Sequence, residues 1–266
     1  MSDQNSNPSP GSVILRLFFF LFFLAIGIAG FSSLAWQRFS NQQSNDNAAV
    51  ILAAAATTPT PPPNDNINRP VSEPYVGDLS IFEDSKREEN LQINRVLDVL
   101  GVKTGTSVAD IGAGSGWFTV RAARRVAEKG VVYAVEINQD DLKFIDNRAA
   151  KEKLANIKTV LGKEDDPALP ENAVDAVLIL KTYHEIAQPI RLLENLRKSL
   201  RPNAKIGIID RNGKGDDHGI AQETVVKEAA QAGFKLVENY DFVKPDGMDY
   251  FLVFQTNPTG QQLKPE

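Results

Sequence analysis

Beyond about residue 80, short apolar runs alternate along the chain with stretches whose apolar residues recur every three or four positions. The short runs predict strands and the periodic stretches predict helices. The predicted strands cover 107–111, 131–136, 157–161, 174–180, 205–210, 235–242 and 249–255. The predicted helices cover 83–100, 117–129, 189–200 and 223–232, and Asn138 caps a further helix after the second strand.

Apolar strands separated by helices predict an α/β fold in which helices cover both faces of the sheet. We expect a doubly wound, mostly parallel seven-stranded sheet. In open sheets of this kind, ligands bind beyond the carboxyl ends of the strands, where the strand order reverses. The candidate chemistry is therefore sought in the loops that follow the strands.

The N-terminal part of the chain has a different pattern. A polar stretch, 1–12, precedes an apolar segment, 13–36, whose central nineteen residues, 17–35, carry no charge. As a helix this centre would be about 28 Å long, which approaches the thickness of a bilayer core. We favour a single hydrophobic helix retained as a membrane anchor over a cleaved signal peptide, for which 33–35 offers a small-residue cleavage site.

A linker is predicted for 37–74, because Asn, Gln and Ser are followed by six prolines between Pro59 and Pro74. The globular domain is predicted to cover 75–257, with a polar tail at 258–266. Arg16 and Arg38 flank the two ends of the apolar segment, so the positive-inside rule does not favour either orientation.

Composition narrows the chemistry. The chain has 29 Lys+Arg against 34 Asp+Glu, a net charge of −5, which argues against a nucleic-acid partner. It has no cysteine, which excludes disulfides, thiolate metal sites and a cysteine nucleophile. With only two histidines, a His-rich metal site is excluded, and no metal is expected.

The most informative motif is VADIGAGSG at 108–116, a glycine turn between a strand and a helix. Its spacing is G-x-G-x-G, and Trp117 stands where a dinucleotide-binding motif needs its last glycine. Asp110 would repel a pyrophosphate but would suit a cofactor that carries an ammonium group. Glu136 ends the next strand, where a carboxylate can accept hydrogen bonds from a ribose diol.

This segment resembles motif I of the class I S-adenosylmethionine-dependent methyltransferases, and is similar to the methyltransferase type 11 and protein-isoaspartyl-methyltransferase-like groups. The resemblance implies a Rossmann-like methyltransferase fold with S-adenosylmethionine as cofactor. It implies that the cofactor contacts are Asp110, Gly112, Ala113, Gly114, Ser115, Gly116, Glu136, Ile137 and Lys181, with Glu164 or Asp165 beside the adenine. Lys163 stands where the family often has an acidic residue, so the 164–165 pair could instead be a solvated loop.

Candidate catalytic residues follow the fourth and fifth predicted strands. His184, Tyr183 or Asp210 would act as a base for an oxygen or nitrogen acceptor, whereas a carboxylate acceptor would need none. The alternatives are that His184 packs against the next helix and that Asp210 caps a strand end. His218 lies in the 212–219 loop, which together with 71–92 is expected to contact the acceptor.

The sequence thus predicts a membrane-tethered S-adenosylmethionine-dependent methyltransferase with an unidentified small-molecule or protein acceptor. The alternatives are a non-catalytic cofactor-binding or scaffold protein and a nicotinamide-dependent oxidoreductase. Because this cofactor is an intracellular metabolite, the resemblance favours a cytoplasmic domain, whereas cleavage of a signal peptide would export it.

Overall fold

The computed structural model describes residues 69–244 and 247–257. The predicted anchor at 17–35, the polar ends at 1–12 and 258–266, and residues 37–68 of the predicted linker lie outside this part of the chain. Within the described residues, none of the helices has both the length and the apolar character needed to cross a bilayer.

A single seven-stranded sheet organises the domain, as predicted. Its strands are β1 (Ser107–Ile111), β2 (Val131–Glu136), β3 (Ile157–Leu161), β4 (Val174–Leu180), β5 (Leu200–Arg211), β6 (Phe234–Tyr240) and β7 (Asp249–Thr256). Their order is β3-β2-β1-β4-β5-β7-β6, and β7 runs antiparallel to both of its neighbours while the other pairs are parallel. The order reverses between β1 and β4, which is where a ligand is expected.

Six α-helices flank the sheet within the described residues: α1 (Arg87–Leu91), α2 (Ile93–Val99), α3 (Trp117–Val126), α4 (Gln139–Glu152), α5 (Pro189–Ser199) and α6 (Gln222–Gln231). Two 3-10 helices, Leu79–Glu83 and Tyr183–Glu185, lie beside them. Asn138 caps α4 as predicted, because its side chain accepts a hydrogen bond from the Asp140 amide.

Two apolar cores confirm that helices cover both faces of the sheet. Val177 and Ile179 of β4 pack with residues of α5 and α6, whereas Leu178 and Leu180 pack with residues of α2 and α3. This alternation follows from the two-residue period of a strand. Because β1 and β4 are buried along almost their whole length, their sequences read as continuous apolar runs rather than as alternating ones.

Two predicted helices differ from the observed ones. The helix predicted at 83–100 is interrupted at Gln92, whose φ of 46° lies in the left-handed region and whose side-chain amide donates to the Phe242 carbonyl at 2.9 Å. The helix predicted at 117–129 ends at Val126 because Ala127 adopts a φ of 55°. Both breaks occur at non-glycine residues, where the sequence carries no stop signal.

The folded part of the chain begins earlier than predicted. Residues 69–76, here called the strap, pack on the domain, although the sequence assigns 69–74 to the linker. The Arg69 Nε lies 2.8 Å from the Glu228 Oε1, and both side chains are less than a tenth exposed. Ser72 donates through its amide to the His184 carbonyl at 3.2 Å and through its hydroxyl to the Gly215 carbonyl at 2.6 Å. The strap therefore joins the loops that follow β4 and β5.

Candidate active site

A cavity of about 1020 Å³ lies at the carboxyl ends of β1, β2 and β4, where the strand order reverses. The strap forms part of its wall. Nine of the predicted site residues on the cofactor side line it: Asp110, Gly112, Ala113, Gly114, Ser115, Glu136, Ile137, Glu164 and Lys181. His184 lines it as well, so the cavity joins the predicted cofactor site to the predicted acceptor site.

The glycine turn is held against β2 and leaves one side open to the cavity. The amides of Gly112 and Ala113 donate to the Val135 carbonyl at 3.0 and 3.1 Å. A Cβ on Gly112 would overlap the Thr182 side chain, whereas a Cβ on Gly114 would make only an ordinary van der Waals contact with the Phe82 ring at 3.8 Å. Gly114 is thus the position at which a ligand can approach the backbone most closely.

Gly116 has a different role from the two glycines before it. It does not line the cavity; it precedes α3 with a φ of 72°, and a Cβ there would lie 3.2 Å from Ile145. The structure therefore gives Gly116 a packing role at the start of the helix. Ser115 is buried and donates to a Glu83 carboxylate oxygen at 2.7 Å, which fixes the turn to the Leu79–Glu83 helix.

Asp110 is a buried carboxylate in the wall of the cavity, with 1% of its surface exposed. The Thr119 hydroxyl donates to its Oδ2 at 2.6 Å. Burial raises the pKa of Asp110 to about 7, and the neighbouring Glu136 carboxylate contributes to the rise while the Thr119 hydrogen bond opposes it. A cation beside Asp110 would favour its ionised form.

Glu136 projects from the end of β2 toward the glycine turn. Its Oε1 accepts from the Gly114 amide at 2.7 Å and its Oε2 from the Ile137 amide at 3.0 Å. Burial raises the pKa of Glu136, and these two hydrogen bonds oppose the rise. A carboxylate has about four acceptor positions, so each oxygen can still accept one hydroxyl from a diol.

The remaining predicted cofactor residues divide between the cavity and its surroundings. Ile137 is 48% exposed at the rim, and Glu164 lines the wall. Lys181 also lines the wall, but its ammonium is paired with Asp249 on β7. Asp165 does not line the cavity, since its carboxylate faces Arg191 at 3.9 Å. Of the 164–165 pair, the structure therefore brings only Glu164 to the site.

His184 and Asp210 form a buried pair at the other end of the cavity. The Nδ1 of His184 lies 2.9 and 3.0 Å from the two carboxylate oxygens of Asp210, which is fully buried. The amides of His184 and Arg211 also donate to this carboxylate, at 3.1 and 2.8 Å. With Asp210 ionised, Nδ1 carries the imidazole proton and Nε2 keeps its lone pair, which can accept a proton or coordinate a cation.

Tyr183 does not reach the cavity. Its side chain is fully buried in the core below the strap, with the Arg69 guanidinium 5.9 Å from its ring centre. Burial raises the pKa of its phenol well above the ordinary value. The candidate role of Tyr183 as a base therefore has no structural support, because no acceptor in the cavity can contact its hydroxyl.

Glu185 is a residue of the site that the sequence did not predict. It lines the cavity, with its Oε1 3.7 Å from the Nε2 of His184. Burial raises the pKa of Glu185 to about 7, with Asp210 and Glu136 contributing to the rise and His184 opposing it. The only sequence signal was its position beside His184. Asp110, Glu136 and Glu185 together give the cavity an acidic wall, which suits a ligand that carries positive charge.

Comparisons with known proteins agree with this geometry. A family model described as "Methyltransferase domain" matches residues 108–203, from β1 into β5. The solved structure of a SAM-dependent methyltransferase from Aquifex aeolicus is 25% identical and covers 67% of this chain and 98% of that chain, with a TM-score of 0.61. The family model and this structural neighbour support the assignment of the domain to the class I S-adenosylmethionine-dependent methyltransferase superfamily.

Curated members of this superfamily resemble part of the chain. A 2-phytyl-1,4-naphtoquinone methyltransferase from Trichormus variabilis is 33% identical over 111 residues, which are 41% of this chain and 48% of that protein. A ubiquinone/menaquinone biosynthesis C-methyltransferase from Escherichia fergusonii is 27% identical over 120 residues, which are 43% and 46%. The chain thus spans about half the length of the curated relatives it matches.

The methyltransferase domain match and the fold imply S-adenosylmethionine as the cofactor, and the cavity fits it. That molecule carries a sulfonium and an ammonium group, which suit the acidic wall. Asp110 and the open side of Gly114 would hold its amino-acid part, and Glu136 would hold its ribose hydroxyls. Glu136 already accepts two backbone amides, and its remaining acceptor positions match the two hydroxyls of a ribose.

Proposed function

We propose that the domain transfers the methyl group of S-adenosylmethionine to an acceptor bound beside His184. One observation carries the proposal: the glycine turn with Asp110 and Glu136 opens into the same cavity as the His184–Asp210 pair. A protein that only bound the cofactor would have no need for an imidazole that lines the same cavity and is oriented by a buried carboxylate.

When bound, the cofactor supplies an activated methyl group, so the chain has mainly to position the acceptor. Asp110 and Glu136 fix the two ends of the cofactor, and the strap covers part of the cavity. His184 presents Nε2 to the acceptor and can take the proton of a hydroxyl or amine. Asp210 holds the imidazole in the required orientation and stabilises the cation formed when Nε2 is protonated.

We further propose that the acceptor is a lipid-soluble compound reached at a membrane surface. Two apolar side chains form part of the cavity rim and are exposed, Val76 at 86% and Ile137 at 48%. An apolar acceptor that enters past these side chains would be stabilised by contact with them. The curated relatives named for quinones support this acceptor class.

An anchor at 17–35 would keep the domain at the membrane, where such an acceptor dissolves. A domain on the cytoplasmic side would also have access to the intracellular cofactor. The apolar length of this segment supports the proposal. Protease protection of the full chain in sealed membrane vesicles would test it. In vesicles whose outer face is the cytoplasmic one, we expect added protease to digest the domain. A domain that resists the protease until the vesicles are opened would contradict the proposal.

The activity is tested with the full chain in lipid nanodiscs. Calorimetry with S-adenosylhomocysteine reports cofactor binding, and transfer of a radiolabelled methyl group to a total lipid extract or to a soluble metabolite pool reports turnover. We expect label in the lipid extract, and none with His184→Ala, which should still bind S-adenosylhomocysteine. Binding without any transfer would favour the non-catalytic alternative, and no binding would refute the assignment.

A further inference from the structure

Three side chains converge at the acceptor end of the cavity, and the methyl-transfer proposal uses only one of them, His184. His184 and Glu185 follow β4, and His218 lies in the loop after β5. One ligand atom from each residue can be chosen so that all three atoms lie within 4.8 Å of one another. The rings of the two histidines meet edge to face, with centroids 5.8 Å apart. Both histidines of the chain thus lie next to each other in the cavity wall. The sequence analysis predicted no metal site here.

The orientation of His184 is the one found in metal sites. Metal-ligating histidines commonly donate their second ring N–H to a carboxylate, which fixes the tautomer and directs the other nitrogen at the ion. Asp210 does this here, with its oxygens 2.9 and 3.0 Å from Nδ1. Asp210 is itself held by two backbone amides, so the Nε2 of His184 is preorganised toward the cavity.

The strap holds the second histidine in place. The Ser72 hydroxyl accepts from the His218 amide at 3.1 Å, and the Ser72 amide donates to the His184 carbonyl at 3.2 Å. His218 adopts a φ of 55°, a left-handed conformation that a histidine keeps only when its surroundings impose it. One buried serine therefore ties together the two segments that carry the histidines.

We infer that His184, Glu185 and His218 form a binding site for a divalent transition-metal ion. Two imidazoles and one carboxylate are a ligand set that suits Zn²⁺ or Fe²⁺. Around tetrahedral zinc, ligand atoms lie roughly 3.3 Å apart, so a small rotation of the exposed His218 side chain would complete the site.

Three protein ligands leave at least one coordination position open toward the cavity. An oxygen of the methyl acceptor would occupy it, which selects acceptors that carry a hydroxyl, phenolate or enolate oxygen. Only this second step rests on the proposed function, since ion binding requires neither the cofactor nor the acceptor. In the metal-bound form the Nε2 of His184 is a ligand, so the role of His184 as a base in the proposed methyl transfer applies to the metal-free form.

Cobalt provides the test, because Co²⁺ replaces zinc in such sites and its visible absorption reports the change from the hydrated ion to a protein-bound coordination geometry. The full chain, stripped of metal with a chelator, is titrated with Co²⁺, and Zn²⁺ is then added as competitor. We expect one equivalent to bind, with displacement by Zn²⁺. His218→Ala and Glu185→Gln should each weaken Co²⁺ binding at least tenfold, and Asp216→Asn, an exposed acid on the same loop, should leave it unchanged.

Binding of S-adenosylhomocysteine is measured on the same samples and separates this inference from the proposed function. If His218→Ala still binds S-adenosylhomocysteine, the variant is folded. If it does not fold, His218→Gln replaces it in the Co²⁺ titration. Absence of stoichiometric Co²⁺ binding, or equal Co²⁺ affinity in wild type and both ligand variants, would overturn the metal site. Co²⁺ binding without S-adenosylhomocysteine binding would leave the metal site standing and refute the methyltransferase proposal.

Discussion

Replacing Asp110 with Asn should raise stability at alkaline pH and weaken cofactor binding at the same time. Burial raises the pKa of this carboxyl from 3.8 to about 7, so the folded chain keeps a proton there that the unfolded chain has lost. Roughly three pKa units at about 1.4 kcal/mol each correspond to about 4 kcal/mol. That is the free energy of unfolding lost between about pH 4 and pH 7, where Asp110 of the unfolded chain is ionised while Asp110 of the folded chain stays protonated.

The sign follows from linkage. Between these pH values the folded state binds more protons than the unfolded state, so stability falls as pH rises, and the loss is complete above pH 7. The carboxamide of the Asp110→Asn variant would not ionise, and its oxygen can still accept from Thr119. The difference in unfolding free energy between variant and wild type should therefore grow by up to about 4 kcal/mol from pH 4 to pH 8.

Urea unfolding at pH 4.5, 6 and 8 measures this difference, with Asp241→Asn as a control at an exposed carboxylate. Calorimetry with S-adenosylmethionine at pH 8 measures the functional consequence. There, the variant should bind at least tenfold more weakly, because it lacks the charge that faces the ammonium group. A stability difference that does not change with pH, or an unchanged affinity, would refute the reasoning.

Three further substitutions test other parts of the site. Gly114→Ala should weaken S-adenosylhomocysteine binding at least tenfold, because the cavity-lining turn holds Gly114 at a φ of 52° that strains a side chain, and equal affinity in calorimetry would move the cofactor elsewhere. Glu136→Gln should weaken the same binding by about 1.5–3 kcal/mol through lost charge-assisted hydrogen bonds, and no loss would exclude Glu136 as the ribose partner. Arg69→Met should lower the free energy of unfolding by about 3–5 kcal/mol because Glu228 stays buried without its partner, and a urea midpoint equal to that of wild type would contradict this.

The strands were predictable because each is a short buried run closed by a turn. Strands β1 to β4 have the predicted limits, and β5 begins five residues earlier, where Leu200 pairs with Val174 before a break in the ladder. The interruption at Gln92 was not predictable, because its side chain is held by the Phe242 carbonyl, 150 residues away. Long-range contacts of this kind leave no trace in local periodicity.

In the site, local signals located the residues that follow β1 and end β2. Asp110 on β1, the glycine turn after it and Glu136 at the end of β2 line one cavity, and their binding of one ligand stays a prediction. The residues after β4 show the limit of this approach. Neighbouring side chains in the Tyr183–Glu185 helix point to different sides, so Tyr183 enters the core while His184 and Glu185 face the cavity. The sequence alone does not show how this short helix is rotated.

The acidic wall of the cavity has an energetic consequence for the whole domain. Burial raises the pKa of Asp110, Glu136 and Glu185, so each carboxylate destabilises the empty fold when it ionises. A cationic ligand reverses this penalty, because it favours the ionised carboxylates and binds only the folded chain. The domain should therefore gain stability from S-adenosylmethionine most strongly above pH 7, where the empty cavity is least stable. A neutral nucleoside of the same shape, which lacks the charge, should not produce this pH dependence.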